Sequence, residues 1–206
     1  MNDEQYYAFV RPYEDAMQMM LTRLDVLNHN LYGTSDSQPI HYIQDRIKQK
    51  KSLEEKLIRR GHEPTVDNAK DYLQDIAGVR VICYFVDDIY NLVKSLKRQT
   101  DLIVVREQDY IKNPKPNGYR SYHMIVEIPV FFSKGKTPMR AEIQIRTNGM
   151  DFWATLEHQL RYKKGIEEMD GYEQISDELA KTAHELNNMD LEMQNIKNKI
   201  GRFHDI

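Results

Sequence analysis

The stretch Asn113-Pro114-Lys115-Pro116-Asn117-Gly118-Tyr119-Arg120-Ser121-Tyr122-His123-Met124-Ile125-Val126 opens as a loop and ends as a strand. Two prolines withhold backbone donors, and Asn117-Gly118 is a strong turn signal. From Tyr122 the chain turns apolar and reads as a strand to about Pro129. Tyr119, Arg120 and His123 stand where loop becomes strand. A plain hairpin does not need a ring, a guanidinium and an imidazole there. The ring can stack on a base, and Arg120 and Lys115 can neutralise phosphate. The bland alternative is a surface turn with a tyrosine packed on the sheet.

Working downstream, Met139 to Arg146 is a second strand, and Ser133-Lys-Gly-Lys-Thr-Pro138 between the two predicts an antiparallel pair. Within Glu142-Ile-Gln144-Ile-Arg146-Thr147, alternation places Glu142, Gln144 and Arg146 on one face and Ile143 and Ile145 on the other. A helix follows over 148–163, with Phe152, Trp153, Leu156 and Leu160 on one side. The last segment, about 172–203, is a long helix. Its Ile175, Leu179, Thr182, Leu186, Met189, Met193, Ile196 and Ile200 form a heptad seam.

Upstream, Leu102 to Val105 begins a strand that continues toward Tyr110. Ile76 to Phe85 reads as a strand buried on both faces, and Asp87 as the cap of a helix reaching about Gln99. Thr65 can cap a short helix ending at Leu73. Lys50 to Arg60 reads as a helix with Leu53, Leu57 and Ile58 on its apolar face, Ser52 as its cap and Gly61 just past its end. Ile40 to Lys48 reads as a short strand and 33–39 as a loop. Residues 4–32 form a helix with Phe9, Tyr13, Met17, Met20, Leu24, Leu27 and Leu31 in step, kinked at Pro12 or starting near it. The sum is one α+β domain over 1–206. Its mixed sheet has roughly five strands flanked by helices, with long N- and C-terminal helices serving assembly.

Charge is unevenly spread. Net charge is −3, from 29 Lys+Arg against 32 Asp+Glu, which argues against a dedicated nucleic-acid binder. Yet residues 46–60 hold seven bases (Arg46, Lys48, Lys50, Lys51, Lys56, Arg59, Arg60) against two acids. So short a basic patch suits small phosphates better than a long duplex. Arg46 and Lys48 alternate on a strand and share a face, whereas Lys50 and Arg60 read as solvated. In Asp75-Ile-Ala-Gly78-Val-Arg80, an aspartate at the mouth of a buried strand is either a cap or a ligand for a hard cation such as Mg²⁺. Gly78 leaves room for a close approach. Asp75 and Glu142 among so many bases make a metal and phosphate site plausible. The single cysteine, Cys83, lies in an apolar run and reads as a buried thiol. There is no apolar run long enough to span a bilayer and no signal pattern at the N-terminus, which fits a reducing cytoplasm.

Five motifs in order resemble the synthetase domain of the RelA/SpoT superfamily. They are Arg46-x-Lys48-x-x-x-Ser52, Asp75-Ile-Ala-Gly-x-Arg80, Gly118-Tyr-Arg-Ser-Tyr-His123, Glu142-Ile-Gln-Ile-Arg-Thr147 and Phe152-Trp-Ala-x-x-Glu157-His158. The resemblance spans about residues 38–164 and lacks the hydrolase and regulatory domains of the long members. The chain therefore resembles a small alarmone synthetase, nearer the RelP than the RelQ branch in its Lys112–Gly118 stretch.

That resemblance implies a nucleotidyltransferase-like synthetase fold and transfer of the β,γ-pyrophosphate of ATP to the 3′-hydroxyl of GDP or GTP. The products are ppGpp or pppGpp and AMP. It implies adenine held between Arg46 and Arg80, and ATP phosphates held by Lys48, Ser52, Lys56 and Arg59. Tyr119 stacks on guanine through its π face, so that Phe in its place is expected to be mild. Lys115, Arg120, His123, Gln144, Arg146 and Glu157 hold the rest of the acceptor. Asp75 ligates Mg²⁺, and Glu142 shares the metal or accepts the 3′-hydroxyl proton. Neither carboxylate is expected to hold the core. His158 either touches ligand or anchors its helix. The resemblance also implies a homotetramer. Two rivals are a non-catalytic nucleotide or RNA sensor, which has no use for two carboxylates, and a helical scaffold, which explains only 172–203.

Overall fold

The computed structural model describes residues 1–32, 38–161 and 172–204. The loop expected at 33–39 falls mostly outside them, as do residues 162–163 of the expected helix and 164 at the end of the expected core.

The elements in order are α1 (Asp3–Tyr32), β1 (Ile40–Ile47), α2 (Lys50–Arg59), α3 (Val66–Tyr72), β2 (Ala77–Cys83), α4 (Val86–Lys97), β3 (Ile103–Asp109), β4 (Tyr122–Phe132), β5 (Gly135–Thr147), α5 (Asn148–Arg161) and α6 (Tyr172–His204). The five strands form one sheet in the order β1-β2-β5-β4-β3. Only β2 and β5 run parallel; the other pairs are antiparallel. This is the expected mixed α+β sheet.

Alternation decides the two faces. Val79, Val81, Met124, Val126, Ile143 and Ile145 point into the core, where α1 supplies Met20 and Leu24 and α4 supplies Ile89, Leu92 and Leu96. Removing each such side chain from water favours folding by ~1.5–3 kcal/mol. The stripe on α1 is thus packed into the domain's own core. Pro12 lies inside an unbroken helix that starts at Asp3, not near the proline. Buried Phe9, Val10, Tyr13 and Ala16 around it hold the helix to the sheet, and the proline only deprives the Ala8 carbonyl of its partner.

Helix ends follow local chemistry with two exceptions. Gly61 has φ +79, and the amides of Gly61 and His62 return to the carbonyls of Ile58 and Leu57, closing α2 as expected. Thr65 accepts from the Asn68 amide and caps α3. Ser52, however, is not a cap: α2 begins two residues earlier, after Gln49. Nor is Asp87: the Phe85 amide donates to Asp88 Oδ2 at 3.1 Å. Ile58 is solvent-exposed rather than on the apolar face, and so are Phe152, Leu156 and Leu160 of α5, where Trp153 and Ala154 are buried instead. The β4–β5 turn is tighter than expected. Phe132 pairs with Gly135, and Pro138 sits within β5 opposite Pro129.

Candidate active site

Strand register places the polar residues in rows across the face away from the core. One row is Gln44, Arg80, Gln144, His123 and Gln108; the next is Arg46, Gly78, Glu142, Ile125 and Arg106. Two adjoining cavities open on this face. The first, about 140 Å³, is lined by Lys56, Asp75, Arg106, His123 and Glu142 among others. The second, about 100 Å³, is lined by Arg46, Gly78, Arg80, Glu142 and Gln144 among others. Glu142 belongs to both.

Asp75 precedes β2 and caps nothing. Its Oδ2 accepts from Lys48 Nζ at 2.9 Å and Lys56 Nζ at 2.6 Å. Burial works against its charge, but hydrogen bonds from Lys56 and Lys48 outweigh it and hold the carboxyl at about 2. Glu142 lies on β5, the neighbour of β2. Burial again opposes its charge. His123 and Gln144 more than compensate and lower its pKa, against some repulsion from Asp75. Glu142 Oε2 accepts from Gln144 Nε2 at 3.0 Å, and Oε1 lies 3.6 Å from His123 Nδ1. The two carboxylates therefore face one space, Asp75 from the segment just before β2 and Glu142 from the adjoining β5.

The loop preceding β4 is built by a turn in which the Gly118 amide donates to the Lys115 carbonyl, with Pro116 and Asn117 at its centre and Gly118 at φ +88. Asn117 Nδ2 donates to Glu157 on α5 at 3.2 Å. Lys115 Nζ stands 4.8 Å from the centre of the Tyr119 ring. The Tyr119 hydroxyl is 2.8 Å from His123 Nε2 and accepts from Arg146 Nη2 at 2.7 Å. Arg146 is buried. It also donates to Gln144 Oε1 at 2.7 Å and to Asp151 Oδ1 at 3.0 Å.

Most of the expected residues meet here. Arg46, Lys48, Lys56, Asp75, Arg80, Lys115, Tyr119, His123, Glu142, Gln144 and Arg146 lie on this face or its rim. Ser52, Lys56 and Arg59 follow one side of α2, with Ser52 and Arg59 solvent-exposed. Arg120 turns away: its Nη1 donates to the carbonyls of Gly118 at 3.2 Å and Ala183 at 3.3 Å, beneath α6. The sequence reading missed Gln44, Arg106, Gln108 and Asp151. Gln44 was within reach, since it alternates with Arg46 and Lys48 on β1. Asp151 gave no signal, because an acid in the first turn of a helix is ordinary.

Asp75 Oδ1, Arg120 Nε and Arg146 Nε are the buried side-chain polar atoms, among the described residues, that make no hydrogen bond within the chain. All three belong to residues singled out from sequence. Such atoms are costly; Asp75 and Arg146 face the site, where a ligand would complete them, whereas Arg120 lies beneath α6. An unpartnered carboxylate oxygen facing a second carboxylate is a donor set that fits Mg²⁺ with substrate phosphates.

A sequence profile described as a region found in RelA/SpoT proteins matches residues 45–167. The GTP pyrophosphokinase YwaC of Bacillus subtilis is 41% identical over 188 residues, covering 91% of this chain and 88% of that protein. The crystal structure of small alarmone synthetase 1 from Bacillus subtilis bound to pppGpp superposes with a TM-score of 0.83 at 35% identity, covering 96% of this chain and 99% of that one. The same synthetase bound to AMPCPP gives 0.76 at 31% identity, covering 97% and 99%. With the profile spanning well over half of the sequence and a relative alike along nearly its whole length, the chain belongs to the RelA/SpoT family, among its small alarmone synthetases.

Proposed function

We propose that two nucleotides meet on the open face of the sheet and that Glu142, lining both cavities, marks where they react. The protein is a GTP pyrophosphokinase. The 3′-hydroxyl oxygen of GDP or GTP attacks the β-phosphorus of ATP, the bond from that phosphorus to the α-phosphate oxygen breaks, and AMP leaves. The observation that carries this reading is the pair Asp75, just before β2, and Glu142, on the adjoining β5, lining one cavity with Lys56.

ATP lies on the β1–β2 side. Arg46 passes over Gly78, where an added Cβ would sit 3.8 Å from Arg46 Cγ and Nε, so the glycine keeps that surface flat. Arg80 faces the same cavity. A base between two guanidinium planes is a contact arginine makes and lysine does not. Lys48 and Lys56 exchange Asp75 for the triphosphate, with Ser52 and Arg59 beside them on α2. The acceptor lies on the β4–β5 side. There Tyr119 offers its face to guanine, and Lys115, His123, Gln144, Arg146 and Glu157 surround it. Arg120 serves the loop rather than the phosphates, because its donors go to main-chain carbonyls.

Mg²⁺, which Asp75 and Glu142 would hold, neutralises charge on the transferred group when bound. The chain itself supplies positioning and cations; no covalent nucleophile stands in the site. Glu142, kept ionised, also stands where the 3′-hydroxyl proton must go. Among the described residues no helix is long and apolar enough to cross a membrane, and we place the enzyme in the cytoplasm with its nucleotides. Its assembly is a homotetramer, a reading supported by the exposed apolar residues of α6. Labelled ATP incubated with GDP or GTP and Mg²⁺, and separated by thin-layer chromatography, should give ppGpp or pppGpp and AMP. Absence of both labelled products would overturn the assignment.

A further inference from the structure

Asp151 joins the two halves of the site. It is buried in the first turn of α5. Its Oδ1 lies 3.0 Å from Arg146 Nη1 and 3.3 Å from Arg80 Nη1, and its Oδ2 accepts from the Tyr42 hydroxyl at 2.8 Å. Arg80 lines the cavity assigned to ATP, and its Nη1 also donates to Gln44 Oε1 at 3.4 Å. Arg146 holds the Tyr119 hydroxyl and Gln144 on the acceptor side. One carboxylate oxygen is thus shared by an arginine from each subsite. Burial, with Arg146 and Arg46 close by, disfavours the charge on Arg80; Asp151 is the anion that offsets this.

We propose that Asp151 is a positioning residue that couples the ATP and acceptor subsites, so that filling one orders the other. This rests on the two-nucleotide reading above. The physical step is simple. A base stacked on Arg80 fixes that guanidinium and so fixes Asp151. A fixed Asp151 holds Arg146, and Arg146 holds Tyr119 and Gln144. The ordering cost met by the first nucleotide is then not met again by the second, which is positive cooperativity without a large motion.

Calorimetry with AMPCPP and GDP tests this, since a methylene between the α- and β-phosphates cannot be cleaved as the reaction requires. In the wild type each nucleotide should tighten the other by at least about fivefold. In Asp151→Asn that factor should fall to one. The KM values for ATP and for GDP should both rise about tenfold, while kcat falls less, because Asp151 touches neither substrate. Tyr42→Phe releases Oδ2 without removing either arginine's partner, and should raise both KM values together by a smaller factor in a protein that still unfolds cooperatively, at a slightly lower melting temperature. If Asp151→Asn does not fold, this variant decides the matter. Wild-type KM values in Tyr42→Phe and Asp151→Asn, or a loss confined to one nucleotide, would overturn the coupling. A wild type that binds neither AMPCPP nor GDP would instead overturn the functional reading beneath it.

Discussion

At the scale of single residues, the site is held together by groups that also serve the chemistry. Asp75 is the clearest case. Its side chain is 13% exposed and is the shared partner of Lys48 and Lys56. Its folded pKa of about 2 lies below the ordinary 3.8. The ionised carboxylate therefore contributes stability that is fully present above pH ~4 and lost as pH falls toward 2, worth roughly 2 kcal/mol. Asp75→Asn should accordingly do two things. Turnover should drop at least ~10²-fold, as when a preorganised charge leaves an active site. The melting temperature at neutral pH should also fall by about 4–8 °C, with the acid-side decline between pH 4 and 2 flattened. A turnover assay checks the first point, and thermal melts followed by Trp153 fluorescence check the second. An unchanged melting temperature would show that the two lysines find water as easily as they find Asp75. The expectation that this carboxylate leaves stability untouched is thus replaced. Tyr119 is a second case. Its hydroxyl is an acceptor for buried Arg146, whose Nε already lacks a partner. Tyr119→Phe is therefore not mild; it should weaken GDP binding by about 1 kcal/mol. Tyr119→Ala should lose a further ~1–3 kcal/mol of stacking, with ATP little affected in either variant. Calorimetry of both nucleotides on both variants separates these terms.

At the scale of elements, two glycines with positive φ make a controlled pair. Gly118 has φ +88, and a Cβ there would meet Ala183 Cβ at 2.6 Å and Ala180 Cα at 3.0 Å on α6. Gly61 has φ +79 with nothing within 4 Å. Gly61→Ala should cost only the left-handed strain, about 1 kcal/mol, and leave activity alone. Gly118→Ala adds a collision that pushes the loop off α6, so the KM for GDP should rise steeply while AMPCPP still binds. Equal effects at the two positions would mean that the α6 contact does not position the loop. Such contacts also explain what could be read from the sequence. Element order, the Gly61 and Thr65 caps and the alternation of β5 are local, set by residues a few positions apart. Which of Asp87 and Asp88 caps α4 was not, since both satisfy the same local pattern and Asp88 is fixed by Lys197 on α6, 3.1 Å away. Pro138 misled because a proline in β5 looks like turn punctuation until it is seen opposite Pro129. In the site, alternation showed which residues share a face. Only cross-strand register showed that Gln44, Arg80, Gln144 and His123 form one row, and only α5 packing brought in Asp151.

At the scale of the whole molecule, α6 divides its apolar residues between two duties. The sequence shows one seam from Ile175 to Ile200. In the structure Leu179 and Leu186 pack with Trp153, Ala154 and Ala183, and Trp153 Nε1 donates to the Leu179 carbonyl at 3.0 Å. Asp190 and Gln194 continue this inward face, accepting from the Thr147 hydroxyl at 2.5 Å and the Asp87 amide at 3.1 Å. Met189, Met193, Ile196 and Ile200 follow the outer face at 61%, 52%, 41% and 53% exposure. Four large apolar side chains at steps of four, three and four form a stripe of the kind that packs against another helix. The proposed homotetramer should therefore depend on this outer half and not on Leu179 or Leu186. Light scattering of the wild type at micromolar concentration should give four times the 24.5 kDa of the chain. Lysine at both Met189 and Ile196 would put two charges into that contact and should yield smaller species, while Trp153 fluorescence and thermal unfolding of the single chain stay intact. Leu186→Ala should do the reverse, lowering stability by about 1–2 kcal/mol, since Leu186 is partly buried, without changing the subunit count. A wild type that runs as a monomer, or a double-lysine variant that keeps the full mass, would leave the outer stripe without a role in assembly.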